Sequence, residues 1–216
     1  PANTHPGNDA LKLPVFRNHD HTVDNGVMGC PAVQGLSVQE DLAAGSGVGA
    51  DDGANHLRAA CTDKKALLAQ IRDLNQRLRE KGLCLIPLRF RDGNALLYLY
   101  RPARLKIDLK NELARRTLGN AGYLDESPER CIVNLIRRFQ GEEFPHEIGL
   151  FLSSPPEDVQ GFIENHAQNF KLSGLWKVYG DEAYARAAFA KYKKCTDIYC
   201  RSWRSGASLE ALTVAG

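Results

Sequence analysis

Apolar residues recur at Leu67, Leu68, Ile71, Leu74 and Leu78, the spacing of one face of an α-helix. Thr62 or Asp63 can cap its start, and Gly82 suits the left-handed position just past its end. The pattern then changes. LCLIPLRF at 83–90 and ALLYLYR at 95–101 are rich in β-forming residues and flank RDGN, in which Asp92-Gly93 is a strong hairpin signal. Pro87 cannot donate to a ladder, so the first strand is expected at a sheet edge or bulged. A helix is predicted from Ala103 to Thr117, ending near Gly119. Another starts at Ser127-Pro128-Glu129, where a capping hydroxyl, a proline at the first helical position and an acid at the positive helix end coincide. It buries Cys131, Leu135, Ile136 and Phe139. Ser154-Pro155-Pro156-Glu157-Asp158 repeats that grammar ahead of Val159, Phe162 and Ile163. LWKVY at 175–179 reads as a third strand, and Asp181 opens a long helix to about Ser205, with Ala188, Tyr192, Cys195 and Tyr199 on its inner stripe.

This order predicts an α+β fold: a small, mainly antiparallel sheet (hairpin plus a third strand) covered by helices, with a long C-terminal helix. All of it falls within 61–216, expected as a single domain. Residues 1–60 are different. They hold one aromatic residue, Phe16, eight of the 19 glycines, and seven acidic against three basic side chains. So little apolar mass cannot offset the entropy of ordering, so 1–60 is read as a mobile or loosely docked N-terminal extension, with GSGVGADDG at 45–53 as its linker.

Composition narrows the function classes. With 43% hydrophobic and 25% charged residues, the 216-residue chain can bury a core, and its net charge of +2 carries no excess that calls for nucleic acid or acidic lipid. Its apolar runs fall short of the roughly 20 residues that span a bilayer, so no membrane partner is expected. Six cysteines without C-x-x-C spacing, and no stretch patterned as a signal peptide, point to reduced thiols and a cytoplasmic location. No phosphate loop, dinucleotide fingerprint, H-E-x-x-H or nucleophile elbow occurs. His5, His19, Asp20 and His21 could chelate a metal, but neighbours in a mobile segment make a poorly preorganised site, and neither metal nor cofactor is assigned.

The densest unusual chemistry lies between Phe144 and Asp181. His146-Glu147 puts a titratable base beside a carboxylate, and Asn165, Lys171 and Lys177 follow, interleaved with Phe170, Trp176 and Tyr179. His146, Glu147, Asn165, Lys171, Trp176 and Lys177 form the candidate binding surface. The structural alternative is that His146 caps local backbone and Trp176 is core. Cys200, beside Arg201 and Arg204, is the candidate reactive thiol. Lys191, Lys193, Lys194, Arg201 and Arg204 read as a solvated face matched to the helix dipole rather than as a nucleic-acid contact.

Four blocks also occur in a telling order: EFPHEIGLFL at 143–152, PPEDVQGFIEN at 155–165, GLWKVYGDEA at 174–183 and KYKKCTDIYC at 191–200. They resemble the signature of a bacterial family, domain of unknown function 3793, found chiefly in Clostridia and related anaerobic Firmicutes, and the resemblance covers roughly 61–216. The chain departs from that pattern at Ser153-Ser154, where the family has a Gly-Tyr pair, and at Leu172-Ser173, where a cysteine is sometimes seen. The second departure weakens any three-cysteine site. The resemblance implies a cytosolic setting in an anaerobe and no mechanism. The leading expectation is a non-enzymatic ligand-binding or accessory protein whose partner is a small molecule or a protein. The alternative is an enzyme or redox protein using His146 as acid/base with Glu147, or Cys200 as a thiolate. Nucleic-acid binding through the C-terminal helix is the weaker third reading. Convergence of His146, Glu147 and a cysteine would favour the enzyme.

Overall fold

The computed structural model describes residues 57–123, 127–207 and 209–212, so the expected linker at 45–53 and the histidines at 5, 19 and 21 lie outside the described residues. The main sheet centres on β3 (Asn94–Tyr100), flanked by β1 (Leu57–Ala60) and β2 (Cys84–Arg91) in antiparallel order β1-β3-β2. The β2–β3 turn holds Asp92 at φ 50° and Gly93 at φ 71°, the paired left-handed geometry of a type I′ hairpin.

The third strand of this sheet comes from an unexpected place. Leu57–Ala60, inside the stretch assigned to the extension, pairs with β3 from Leu57↔Leu97 to Ala60↔Asn94. Backbone pairing along β3 needs no side-chain alternation, and LRAA offers almost none. Within 175–179, Lys177–Val178 is indeed a strand (β5), but it pairs with β4 (Leu172–Ser173) in a separate two-stranded sheet.

β2 is an edge strand and carries a bulge just after Pro87: Pro87 pairs with Leu97 and Arg89 with Leu96, leaving Leu88 as the extra residue. The bulge changes which face later residues join. Leu88 packs in the same cluster as Tyr98, whereas Phe90 packs with Leu85 on the opposite side. On β3 the alternation is regular, with Ala95, Leu97 and Leu99 on one face and Leu96, Tyr98 and Tyr100 toward the other.

Each face has its own helical cover. Helix α1 (Lys64–Arg79), capped by the Asp63 carboxylate accepting from the Lys65 and Ala66 amides, buries Leu67, Ile71, Leu74 and Leu78 against the first face. Asn75 clasps it to the sheet edge, donating to the Leu85 carbonyl and accepting from the Leu85 amide, both at 2.8 Å. The other face packs on α2 (Pro102–Asp108), α3 (Glu112–Asn120), α4 (Pro128–Arg138), α5 (Ile148–Phe151) and α6 (Pro156–Glu164). The single helix expected over 103–117 is two. Asn111 interrupts it, its side chain accepting from the Leu113 and Ala114 amides, because an N-cap carboxamide competes with helix continuation. Ser127 caps α4 as its sequence grammar requires. At α6 the cap position is Pro155 with no side-chain hydrogen bond, and Ser154 is buried instead. The long C-terminal helix is α7 (Glu182–Arg204), started by the Asp181 carboxylate accepting from the Tyr184 amide, and α8 (Leu209–Leu212) packs against it. Among the described residues no helix is long and apolar enough to cross a membrane.

Candidate functional site

His146 and Glu147 are adjacent in sequence and diverge in space. Pro145 is fully buried and turns the chain into α5, leaving the Glu147 side chain inside and the His146 ring exposed. The Glu147 carboxylate accepts from the Tyr123 hydroxyl at 3.0 Å and from the Arg138 guanidinium through both Nε and Nη2. Burial, and then this carboxylate, push the Tyr123 phenol far above its ordinary range. Arg138 is pulled down by partial burial but raised on balance by the same carboxylate. Glu147 is therefore committed to holding α4 against α5.

The His146 ring sits 5.4 Å from Phe144 and 5.1 Å from Phe162. The row continues. The Lys177 ammonium lies 5.7 Å from the Phe162 ring centre and 5.1 Å from that of Phe170, and donates to the Ala167 carbonyl at 3.1 Å. At its inner end Phe144 meets the buried Phe139 edge-on at 5.4 Å, so a line of rings runs from the core to a half-buried cation at the surface. Phe170 is 39% exposed.

The segment that shapes the outer end of this row is strained. His166, Ala167 and Asn169 take φ of 48°, 61° and 59°. A β-carbon in the left-handed region costs roughly 1 kcal/mol, most tellingly at Ala167, which has no polar side chain to compensate. The carbonyl aimed by that conformation is the one that holds Lys177.

Trp176, just before β5, and Lys177, its first residue, make contacts with different parts of the fold. The Trp176 indole packs edge-on to Phe189 of α7 at 4.6 Å and donates to Asp158 Oδ2 at 2.6 Å. Asp158, 3% exposed, also accepts from the Tyr179 and Gly180 amides at 2.7 Å each through Oδ1. Close approach on both sides fixes this junction: a β-carbon at Gly161 would collide with the Tyr179 ring, and one at Gly174 with the Phe189 ring. Asn165 ends α6 and donates to the Gly161 carbonyl, and Lys171 donates to the Gly180 carbonyl at 2.8 Å. Of the six expected surface residues, the fold thus brings His146 and Lys177 into one row. It places Glu147 in the core, Trp176 at the α6–α7 junction, and Asn165 and Lys171 in backbone contacts. Phe162 and Phe170 complete the row, and only the fold reveals that Asp158 organises the junction. Its sequence signal was an acid on the same helical face as Phe162 and Val159.

The thiols add no convergent chemistry among the described residues. Cys61, Cys84 and Cys195 are half-buried and Cys131 is buried, and none of these four is in a disulfide. The Cys200 side chain lies outside the described residues. No group of three His, Cys, Asp or Glu that could hold a metal occurs among the described residues.

The Ser153-Ser154 departure meets the fold at a single dihedral angle. Ser153 takes φ 60°, a conformation glycine adopts without strain, and its hydroxyl donates to Asp108 Oδ2 at 2.5 Å. The profile of a family described as Protein of unknown function (DUF3793) matches residues 53–213. The chain belongs to this family. No curated protein and no solved structure matches it significantly. The DUF3793 match begins ahead of β1, so the family's extent takes in the edge strand that the composition of 1–60 concealed.

The tyrosines of this DUF3793 domain set an alkaline limit. Tyr98 and Tyr100 stack at 4.8 Å, and burial raises both phenols, helped at Tyr98 by Tyr100 and at Tyr100 by Cys84. Phenols raised in the folded state, Tyr123 included, ionise first in the unfolded chain, so their contribution is intact below about pH 10 and is lost as pH rises beyond it. Urea midpoints should hold up to about pH 10 and fall as pH rises beyond it, with tyrosinate absorbance from these residues appearing only as the chain unfolds. Full ionisation of the native protein at about pH 11 would contradict the burial.

Proposed function

We propose that this is a cytosolic, non-enzymatic binding protein that engages its partner through the surface row His146, Phe162, Lys177 and Phe170. The observation that carries this reading is the Lys177 ammonium held between two aromatic rings by the carbonyl of left-handed Ala167. The left-handed turn closes the end of α6, the Ala167 amide donating to the Phe162 carbonyl at 2.9 Å, and the same turn aims the Ala167 carbonyl at Lys177; strain of this kind concentrates at ligand-holding segments. Aromatic faces beside a fixed positive charge suit a carboxylate-bearing ligand, small molecule or protein. The commitment of Glu147 to Arg138 and Tyr123 counts against the acid/base alternative.

His146→Ala and Phe170→Ala should each change stability by no more than about 0.5–1 kcal/mol, because both side chains are exposed. Native mass spectrometry of protein purified anaerobically should show a bound species on the parent chain that Phe170→Ala and Lys177→Met both lose. Retention of that species by both variants would end this reading, and turnover abolished by His146→Ala would revive the enzyme.

A further inference from the structure

The total charge of +2 hides a division within the chain. Residues 18–56 carry six acids, Asp20, Asp24, Glu40, Asp41, Asp51 and Asp52, and neither lysine nor arginine. The excess positive charge therefore lies in the folded part, and α7 displays a concentrated share of it. At 3.6 residues per turn, Lys193, Lys194, Arg201 and Arg204 fall on one face of α7, with Asp197 as the acid among them. All of these side chains are exposed. Among the described residues Lys191, Lys193, Lys194 and Arg204 form no ion pair, in contrast to Arg186, which pairs with Glu182 one turn away. The same surface exposes Ile198, 42% accessible, with Lys191, Lys194 and Arg201 seven, four and three residues away along the helix. An apolar side chain ringed by cations calls for an occupant that combines acids with small apolar groups.

We infer that this face of α7 is a docking surface for the chain's own acidic segment 36–52. Its sequence, LSVQEDLAAGSGVGADD, sets Glu40-Asp41 between Leu36, Val38 and Leu42 and ends on Asp51-Asp52. The acids meet Lys194, Arg201 and their neighbours, and one of the leucines covers Ile198. Reach is sufficient. The residues between Glu40 and β1 span up to about 55 Å when extended, against a width of roughly 40 Å for a domain of this size. Tethering raises the effective concentration of the segment into the millimolar range, so individually weak exposed pairs suffice for docking. The contact lies on a different element from the His146–Phe170 row, and either can fail without the other.

Zero-length carbodiimide cross-linking of the full chain, which joins a carboxylate to a lysine amine, tests it. Links from Glu40 or Asp41 to Lys191, Lys193 or Lys194 are expected in the monomer, at a yield independent of protein concentration. They should fall steeply at about 0.5 M salt, where the screening length is about 4 Å. Yield should drop about tenfold in K194E/R201E, whose circular dichroism stays that of the parent, as exposed attractions become repulsions. The combined swap K194E/R201E/E40K/D41K should restore the link with the partners exchanged, the amines introduced in the acidic segment now joining the carboxylates introduced on α7. Links spread equally to Lys110 and Lys171, links found only in a dimer, or a yield unchanged by K194E/R201E would each overturn the inference.

Discussion

Asp158→Ala is expected to destabilise the domain by about 3 kcal/mol, because it strands three donors at once. The lost carboxylate accepts the Trp176 indole N–H through one oxygen and the Tyr179 and Gly180 amides through the other. Together these bonds tie α6 to the strand and turn that lead into α7. Asp158→Asn separates charge from geometry. Its oxygen can still receive the two amides, but its NH2 then faces the indole N–H, so a cost of roughly 1–2 kcal/mol is expected. Urea unfolding followed by tryptophan fluorescence and by circular dichroism reads both effects. A loss below about 1 kcal/mol for Asp158→Ala would mean that water replaces the carboxylate without penalty.

The second large effect is an asymmetry within one ion pair. Arg138→Met leaves the Glu147 carboxylate, 2% exposed, with the Tyr123 hydroxyl as its donor, and should cost about 3 kcal/mol. Glu147→Gln should cost less, about 1–2 kcal/mol, because the Arg138 side chain is 40% exposed and can turn its charge to water. For a domain of this size the Arg138→Met penalty corresponds to a melting temperature lower by roughly 6–12 °C. Thermal scans of the two single variants and the double variant give the coupling directly. If the two single substitutions cost the same, Arg138 is not free to relax and the pair behaves as fully buried.

Asp158 and Glu147 are the most constrained acids of the region, yet along the chain they look like ordinary helix-start acids near a proline. Helix-start grammar explains why an acid is tolerated there. It does not say which acid turns inward, because that depends on what packs across from the helix. The same holds for His146, whose pairing with Glu147 in sequence suggested joint chemistry. A buried Pro145 and the turn into α5 separate the two side chains.

What the sequence determined by itself was whatever depends on neighbours a few residues apart. Helix α1 with its Asp63 cap, the Asp92-Gly93 hairpin, the edge and bulge at Pro87, the Ser127 start of α4 and the extent of α7 all follow from periodicity, capping and turn geometry, which are local. Family membership was legible for a related reason, since each of its four blocks is a continuous run of residues. Tertiary structure alone decided the third strand, because LRAA becomes β1 only by finding the free edge of β3. It also decided the break at Asn111, where capping competes with continuation of the helix. Above all it assembled the His146–Phe162–Lys177–Phe170 row from the turn before α5, from α6, from the segment that follows α6 and from β5, since packing between distant elements, and not spacing along the chain, sets which side chains meet.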